Sequence, residues 1–211
     1  MIRGYFVTGT DTGVGKTFVT THLARRAVGA GHKTFAFKPI ETGCRPPMGE
    51  DQRLLVEAAG SWQLGVLRGV YQLEQPSAPL VAADVEGVSI DLDLIDEVLA
   101  RGASSAGITL VEGAGGWRVP ITSTVDMGGL ARRLQLPIVL VARATLGTLN
   151  HTLLSAEAIR GDGCVLAGVV LSRRPDDDPT LLATNVSYLS RQLDTVVVME
   201  SDPSILDFLL G

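Results

Sequence analysis

The residues with the clearest chemical meaning lie near the amino terminus, in the run GTDTGVGKT at residues 9–17. This run follows an apolar stretch and precedes a stretch with helical spacing. Gly13 and Gly15 allow the backbone to turn its N–H groups inward around phosphate oxygens, and the start of the helix adds positive potential. Lys16 can reach the β- and γ-phosphates, and the Thr17 hydroxyl suits Mg²⁺ coordination. The run therefore predicts a nucleotide phosphate site.

The spacing of this loop differs by one residue from the usual phosphate loop, in which four residues separate the first glycine from Gly-Lys-Thr. Here Thr10 stands in that glycine's place, and Gly9 is separated from Gly15-Lys16-Thr17 by five residues. Glycine-rich turns between a strand and a helix also occur without nucleotide. Because Lys and Thr open the predicted helix, we favour nucleotide binding.

Two acidic residues and a second lysine can complete a site for phosphoryl chemistry. Glu112 precedes a glycine-rich run, residues 113–116, and directly follows a predicted strand, as does the acid that holds Mg²⁺ in phosphate-loop proteins. Asp51 is a further candidate, although its local pattern favours an N-cap for a helix over Gln52–Ala59. Lys38 ends another predicted strand, where the alternative is a lysine in solvent. Two lysines, Thr17 and an acid make a site for phosphoryl transfer, in which the lysines and Mg²⁺ would neutralise the charge of the transferred group.

The elements that must position these residues alternate between apolar strands and helices. The predicted strands are Tyr5–Val7, Thr34–Phe37, Ile108–Val111, Ile138–Val141, Val165–Leu171 and Val196–Val198. The predicted helices are Phe18–Ala30, Leu92–Ala100, Gly129–Leu134, Leu149–Ile159 and Leu181–Leu193. Because the strands are almost continuously apolar, both faces of the sheet should be buried. We therefore predict an α/β fold with a doubly wound, mainly parallel sheet, helices on both faces and ligands at the carboxyl ends of the strands.

Length and composition favour one domain over residues 1–211, because the chain is 45% hydrophobic and 19% charged and carries no repeat or low-complexity tract. The segment Arg45–Val88 contains four of the ten prolines. We expect it to form an insertion of loop and short helix, either a lid or a surface excursion.

Charge and cysteine content exclude several classes of protein. The net charge of −5 argues against a nucleic-acid partner. No apolar run is long enough to predict a membrane span. Cys44 and Cys164 lack the spacing of a zinc site, and the first residues lack a signal-peptide pattern. We therefore expect a reduced, cytoplasmic protein.

The combination of motifs resembles the dethiobiotin synthetase family of P-loop NTPases. The shared motifs are the loop at residues 8–17, Lys38-Pro39 with Thr42-Gly43, the run VEGAGG at 111–116 and the run LGTLNH at 146–151. They occur in the family's order over about the first 170 residues, and the longer loop spacing is itself a family trait.

The resemblance implies an ATP-dependent, ring-closing carboxylation in biotin biosynthesis. In that reaction one amine of 7,8-diaminopelargonate takes up CO₂ as a carbamate, which ATP phosphorylates. The second amine then attacks the carbamic-phosphoric anhydride, giving dethiobiotin, ADP and phosphate. By resemblance, the catalytic residues would be Lys38 and Lys16. The Mg²⁺ ligands would be Thr17, Asp51 and Glu112.

The same resemblance assigns the remaining contacts. The nucleotide-binding residues would be Gly13, Val14, Gly15, Lys16, Thr17, Phe18, Asp51, Glu112, Gly113, Ala114, Gly115 and Ser172. The substrate-binding residues would be Thr12, Lys38, Thr42, Asn150 and Asn185. Because the family works as a homodimer, we expect the substrate carboxylate to be held across the interface at the helix start Thr148-Leu149-Asn150. Asn150 is the preferred polar contact there, and Asn185 is a weaker candidate.

The base-contacting region departs from the family pattern. Many members have an Asn-Asp pair where this chain has Leu171-Ser172-Arg173-Arg174, and residues 199–203 do not match the family's base-contacting loop. Base discrimination depends on paired hydrogen bonds. We therefore expect backbone contacts to the base and relaxed choice among nucleoside triphosphates.

The main alternative is a P-loop switch ATPase of the partitioning or metal-insertion type. Such proteins usually have a second lysine early in the loop, where this chain has Asp11-Thr12, and partitioning members bind DNA through a basic surface. Lys38-Pro39 with Thr42 favours the synthetase. A nucleotidase without diamine chemistry is a further alternative.

Overall fold

The computed structural model describes residues 2–174 and 177–199, and strands and helices alternate over most of this length. The strands are β1 (Gly4–Gly9), β2 (Thr34–Phe37), β3 (Ile40–Thr42), β4 (Tyr71–Leu73), β5 (Ile108–Gly116), β6 (Ile138–Arg143), β7 (Leu166–Ser172) and β8 (Val196–Met199). The helices are α1 (Lys16–Gly29), α2 (Glu50–Ala58), α3 (Pro79–Glu86), α4 (Leu92–Ser104), α5 (Met127–Leu134), α6 (Thr148–Gly161) and α7 (Pro179–Gln192).

Six of these strands form one sheet in the order β2-β5-β1-β6-β7-β8, with every pair parallel. The chain starts at β1, moves to the edge at β2, returns to β5, and then adds β6, β7 and β8 on the other side of β1. The direction in which strands are added therefore reverses at β1. Ligands of such sheets bind at the carboxyl edge of the strands at this point. The predicted mainly parallel α/β sheet is confirmed.

Both faces of the sheet are covered by helices. Successive strand residues point to opposite sides, so each strand contributes side chains to both faces. On one face Val7 belongs to a core cluster with Leu23 of α1 and with residues of α2. On the other face Phe6 and Phe35 belong to a second core cluster, which includes residues of α4, α5, α6 and α7. The predicted burial of both faces is confirmed. Within the described ranges, no helix has the length and apolar character needed to cross a membrane.

The segment Arg45–Val88 contains more regular structure than the expected insertion of loop and short helix. This segment forms α2, a 3₁₀ turn at Gly65–Arg68, β4 and α3. β4 pairs in parallel with β3, giving a separate two-stranded sheet. Each of these strands is only three residues long and has a polar residue in the middle, so neither an apolar run nor a periodic pattern marks them in the sequence.

The end of β5 also differs from the prediction. The strand continues to Gly116, so Glu112 and the glycine run lie inside it rather than after it. Parallel pairing with β1 supports this extension, with Val7 opposite Glu112 and Gly9 opposite Gly116. Tertiary pairing thus overrides the low strand preference of glycine. It also places Glu112 beside the strand that leads into the phosphate loop.

The contact between α4 and β2 at Gly102 gives a test of the fold. A Cβ at this position would lie 2.2 Å from two ring carbons of Phe35. We expect Gly102→Ala to lower the free energy of unfolding by about 1–3 kcal/mol, measured by urea denaturation. Gly161→Ala, at the end of α6, is the matched control because nothing lies within 4 Å of its Cβ. It should be neutral or stabilise by up to about 1 kcal/mol. Equal stability of the two variants would contradict this packing.

Candidate active site

The phosphate loop curves between β1 and α1 as the sequence predicts. Gly13 and Gly15 have φ values of +67° and +101°, in the left-handed region that favours glycine. A Cβ at Gly15 would also lie 2.4 Å from Ser172 Oγ, so room as well as conformation requires glycine there. Lys16 Nζ donates to the carbonyl of Asp11 at 2.9 Å. The ammonium therefore lies across the loop, where phosphates would bind.

Lys38, the residue after β2, is buried between two carboxylates. Its Nζ donates to Glu112 Oε1 at 2.9 Å and to Asp51 Oδ2. The Thr17 hydroxyl donates to the same Glu112 oxygen at 2.9 Å. Lys38 is 6% exposed and Glu112 is fully buried. The structure thus brings the four residues together. A solvent-exposed Lys38 and an N-cap role for Asp51 are both wrong, since Gly49 is the N-cap of α2.

The two lysines differ in how their surroundings affect their charge. Burial lowers the pKa of Lys16 to about 8, with the Lys38 charge acting in the same direction and Glu112 acting against it. Burial alone would also lower the pKa of Lys38. The Glu112 and Asp51 carboxylates more than offset that effect and hold the pKa of Lys38 above its ordinary value. Lys38 is therefore a fixed positive charge.

Glu41 of β3 is a buried carboxylate in this site that the sequence reasoning missed. It is 6% exposed, and its two oxygens accept the backbone N–H groups of Asp51 at 3.0 Å and Gln52 at 2.8 Å. Burial raises the pKa of Glu41 although these hydrogen bonds act in the opposite direction. The only signal in the sequence is an acid three residues after Lys38, with no periodic pattern around it.

Two cavities that share residues lie over the phosphate loop. The first has a volume of about 330 Å³ and is lined by Thr12, Gly13, Gly15, Lys16, Thr17, Phe18, Lys38, Glu41, Thr42, Asp51, Ala114 and Gly115. The second, of about 470 Å³, is lined by Thr12, Thr42, Pro76, Ser77, Ala78, Pro79, Ala114, Gly115 and Val119. A charged cavity therefore opens into a largely apolar one, with Thr12 and Thr42 at the junction.

A third cavity, of about 360 Å³, lies on the other side of the loop. Its lining residues are Gly13, Val14, Gly15, Phe18, Arg143, Ser172, Arg173 and Arg174. Val14 belongs to the phosphate loop itself, and Ser172, at the end of β7, lies beside that loop. The predicted departure from the family's base-contacting loop concerns residues 199–203. Of these, residues 200–203 lie outside the described residues.

Four predicted site residues do not line these cavities. One of them, Glu112, contacts the lining residues Thr17 and Lys38 from behind. Gly113 is buried, and a Cβ there would meet Met127 and Phe6. Asn150 is exposed on α6. Asn185 is 4% exposed and shares the buried stripe of α7 with residues 182 and 189. The helical spacing turns Asn185 into the core, so the structure does not support its prediction as a substrate contact in these cavities.

The residues present fit a Mg²⁺ ion held jointly with nucleotide phosphates. Glu112 Oε2 is buried and has no hydrogen-bond partner in the part of the chain that the structure describes. The same part holds no group of three or more His, Cys, Asp or Glu side chains close enough to bind a metal alone. Mg²⁺ commonly takes one or two carboxylates and completes its shell with phosphates and water. Thr17, Asp51 and Glu112 match that partial set.

The parallel sheet and the phosphate loop after β1 define a P-loop NTPase. Solved structures with this fold include the MinC:MinD cell division complex of Aquifex aeolicus, with a TM-score of 0.58 and 12% identity over 98% of this chain and 85% of that one. Another is MinD of Pyrococcus horikoshii OT3 complexed with Mg-ADP. Its TM-score is 0.55, and it is 15% identical over 100% of this chain and 86% of that one. At these identities the likeness shows the fold alone.

Sequence comparison identifies the family. A family model described as an AAA domain matches residues 3–200. The ATP-dependent dethiobiotin synthetase of Anaeromyxobacter sp. (strain K) is 42% identical over 85% of this chain and 81% of its own length. The ATP-dependent dethiobiotin synthetase of Nitrosospira multiformis is 40% identical over 92% of this chain and 85% of its own length. The chain belongs to the dethiobiotin synthetase family of ATP-dependent ligases that form carbon–nitrogen bonds. The predicted resemblance is confirmed.

The lowered pKa of Lys16 predicts a pH dependence for nucleotide binding. Phosphate binding favours the ammonium form, but the free protein loses this proton above about pH 8. Binding must then take up a proton, so ADP affinity should fall by up to about tenfold per pH unit between about pH 8 and 9.5. Isothermal titration with ADP checks this slope. Lys16→Arg keeps its charge and should remove the slope. A wild-type affinity that is constant over this range would contradict the assignment.

Proposed function

We propose that the chain, acting as one domain over residues 1–211, is a dethiobiotin synthetase. It would convert 7,8-diaminopelargonate, CO₂ and a nucleoside triphosphate, ATP or another, to dethiobiotin, the nucleoside diphosphate and phosphate. The observation that carries the proposal is that two lysines converge where a charged cavity opens into an apolar one. This arrangement suits the meeting of a phosphoryl donor with a partly hydrocarbon acceptor.

The nucleotide would bind along the phosphate loop. Backbone N–H groups of Gly13 to Thr17 and the start of α1 face the β- and γ-phosphates, and the Lys16 ammonium pairs with them. The base would extend into the third cavity, past Phe18 and Ser172. Thr17, Asp51 and Glu112 would hold Mg²⁺, which neutralises phosphate charge when it is bound.

The diamine would lie in the second cavity. Its hydrocarbon chain suits the lining by prolines, alanines and Val119. Thr12 and Thr42 lie at the junction of the two cavities, where their hydroxyls can accept from the amines or donate to the carbamate. This orientation brings the reacting end of the substrate towards Lys38 and Lys16.

The reaction would proceed in three steps. An amine nitrogen bonds to the carbon of CO₂ and loses a proton to solvent, giving the carbamate. A carbamate oxygen then attacks the γ-phosphorus as the bond to the diphosphate breaks. The second amine finally attacks the carbonyl carbon of the anhydride and loses a proton to solvent, which closes the ring and expels phosphate.

The protein would act by charge and position rather than as a nucleophile. Carbamate and γ-phosphate are both anions, so their approach requires fixed positive charge and excluded water. The buried ammonium of Lys38 stabilises the carbamate and the transferred phosphoryl group. Lys16 bridges the phosphates and the carbamate.

The assembly would be a homodimer in which one protomer holds the substrate carboxylate of the other. The start of α6 offers the backbone N–H groups of residues 149 and 150 and the exposed side chain of Asn150 for this anion, while the N–H of Thr148 donates to the carbonyl of Thr145. Leu146 beside it is 92% exposed and Leu154 on α6 is 57% exposed. Large exposed apolar side chains at one surface are typical of protein contacts, which supports an interface here.

Lys38→Ala tests the ligase assignment. Wild type with Mg-ATP and bicarbonate should release phosphate only when the diamine is present, with one dethiobiotin formed per phosphate. Removing the fixed charge should lower kcat by about 10²–10³-fold or more. Both products are measured, phosphate by colorimetry and dethiobiotin by mass spectrometry. Lys33→Ala, at an exposed lysine over Trp62, is the control and should retain activity.

The assay also separates the two function classes. Hydrolysis by wild type that is independent of the diamine, without dethiobiotin, would favour the P-loop switch ATPase. Circular dichroism and ADP binding by Lys38→Ala distinguish lost chemistry from lost structure.

The lining of the third cavity predicts relaxed nucleotide choice. Its described side chains offer guanidinium and hydroxyl groups and apolar surface, but no amide or carboxylate to pair with a base edge. We expect kcat/KM for GTP and CTP within about tenfold of that for ATP, measured in the same coupled assay. Ser172→Ala should leave these ratios unchanged. A preference for ATP of more than about 10²-fold would show that paired hydrogen bonds read the base.

A further inference from the structure

The first turn of α2 is capped from another element. A helix start leaves backbone N–H groups without partners, and the N-cap side chain normally accepts from one of them. Here the N-cap is Gly49, which has no side chain to do so. Glu41 of β3 takes that role, accepting from Asp51 N at 3.0 Å and from Gln52 N at 2.8 Å.

Gly49 is required because the Glu41 carboxylate lies directly against it. A Cβ at Gly49 would be 2.1–2.3 Å from the three carboxylate atoms of Glu41. The φ of Gly49 is −69°, which any residue can adopt. Room for the Glu41 carboxylate, rather than backbone conformation, therefore accounts for glycine at the N-cap.

Gln52 provides a second connection for the same turn. Its amide nitrogen donates to the carbonyl of Lys38 at 3.0 Å, and its amide oxygen accepts from Gly49 N at 3.2 Å. Gln52 is fully buried. The start of α2 is thus hydrogen-bonded to the end of β2 by Gln52 and to β3 by Glu41.

We propose that Glu41 is a positioning residue that fixes the Asp51 carboxylate for metal binding. This inference rests on the proposed function, in which Asp51 holds Mg²⁺. Asp51 has its backbone N–H held by Glu41 and its carboxylate directed at Lys38 Nζ. Both oxygens of Glu41 are needed as acceptors. In Glu41→Gln one of them becomes an amide that faces a backbone N–H, so one of the two hydrogen bonds is lost.

The test measures Mn²⁺ binding to the protein–ADP complex by electron paramagnetic resonance. We expect Glu41→Gln to weaken Mn²⁺ binding by about tenfold or more, as loss of a partner behind a metal ligand does. Its ADP affinity without metal should stay within about twofold of wild type. Glu57→Gln is the matched control, because Glu57 is an exposed residue of α2 paired with Arg53. It should bind Mn²⁺ as wild type does.

Asp51→Asn, alone and combined with Glu41→Gln, identifies the route of the effect. If Glu41 acts through Asp51, its substitution should add little to the loss caused by Asp51→Asn. A full additional loss in the double variant would overturn the positioning role. So would a folded Glu41→Gln with normal Mn²⁺ binding and only a lower urea midpoint, which indicates a structural role alone.

The outcomes separate this inference from the proposed function. Loss of Mn²⁺ binding in Asp51→Asn but not in Glu41→Gln overturns only the role of Glu41. Normal binding in both overturns the metal role of Asp51 itself. If Glu41→Gln does not fold, Gly49→Ala displaces the carboxylate while keeping its charge. That variant should weaken Mn²⁺ binding as well, and normal binding by it when folded would overturn the proposal.

Discussion

Burial of the Lys38 ammonium is the constraint on which the rest of the site depends. A buried charge without partners costs several kcal/mol, so the fold must bring carboxylates to it. Glu112 and Asp51 do so from positions 74 and 13 residues away along the chain. Because the first comes from β5 and the second from α2, one ammonium group connects the central sheet to the segment outside it. Any shift of α2 would leave part of this charge without a partner.

The strand order allows Glu112 to act as one of these partners. β5 lies between β1 and β2, so Glu112 stands between the phosphate loop after β1 and Lys38 after β2. One oxygen of this carboxylate therefore accepts from Thr17 and Lys38 together, while the other has no partner among the described residues. If β5 did not lie between β1 and β2, one carboxylate could not contact both Thr17 and Lys38. The return of the chain from β2 to β5 therefore places Lys38 close to the phosphate loop.

Much of the fold could be predicted from the sequence, because six strands are apolar runs long enough to show their pattern. β3 and β4 could not, since each is a three-residue strand with a polar residue, Glu41 or Gln72, in the middle and so is not an apolar run. Asp51 has the local pattern of an N-cap, but its contact with Lys38 is a tertiary one that no local pattern contains. The role of Glu41 was hidden for the same reason, because its partners are backbone N–H groups ten residues or more away. The spacing of Asn185 from Leu182 and Leu189 did contain the evidence that it faces the core.

The balance of charge in the site also bears on its chemistry. Within the described cavity lining, Lys16 and Lys38 oppose Asp51 and Glu41, and Glu112 adds a further acid behind them. In the proposed reaction, a nucleoside triphosphate and a carbamate would bring only negative charge into this space. The two lysines cannot serve those anions while Lys38 is also the partner of two carboxylates. A divalent cation at Asp51 and Glu112 would meet this need, because it takes over the acids while the fixed ammonium remains beside them. In the proposed reaction, the ion pairs that Lys38 makes in the free protein would therefore be replaced when the metal and the anions bind.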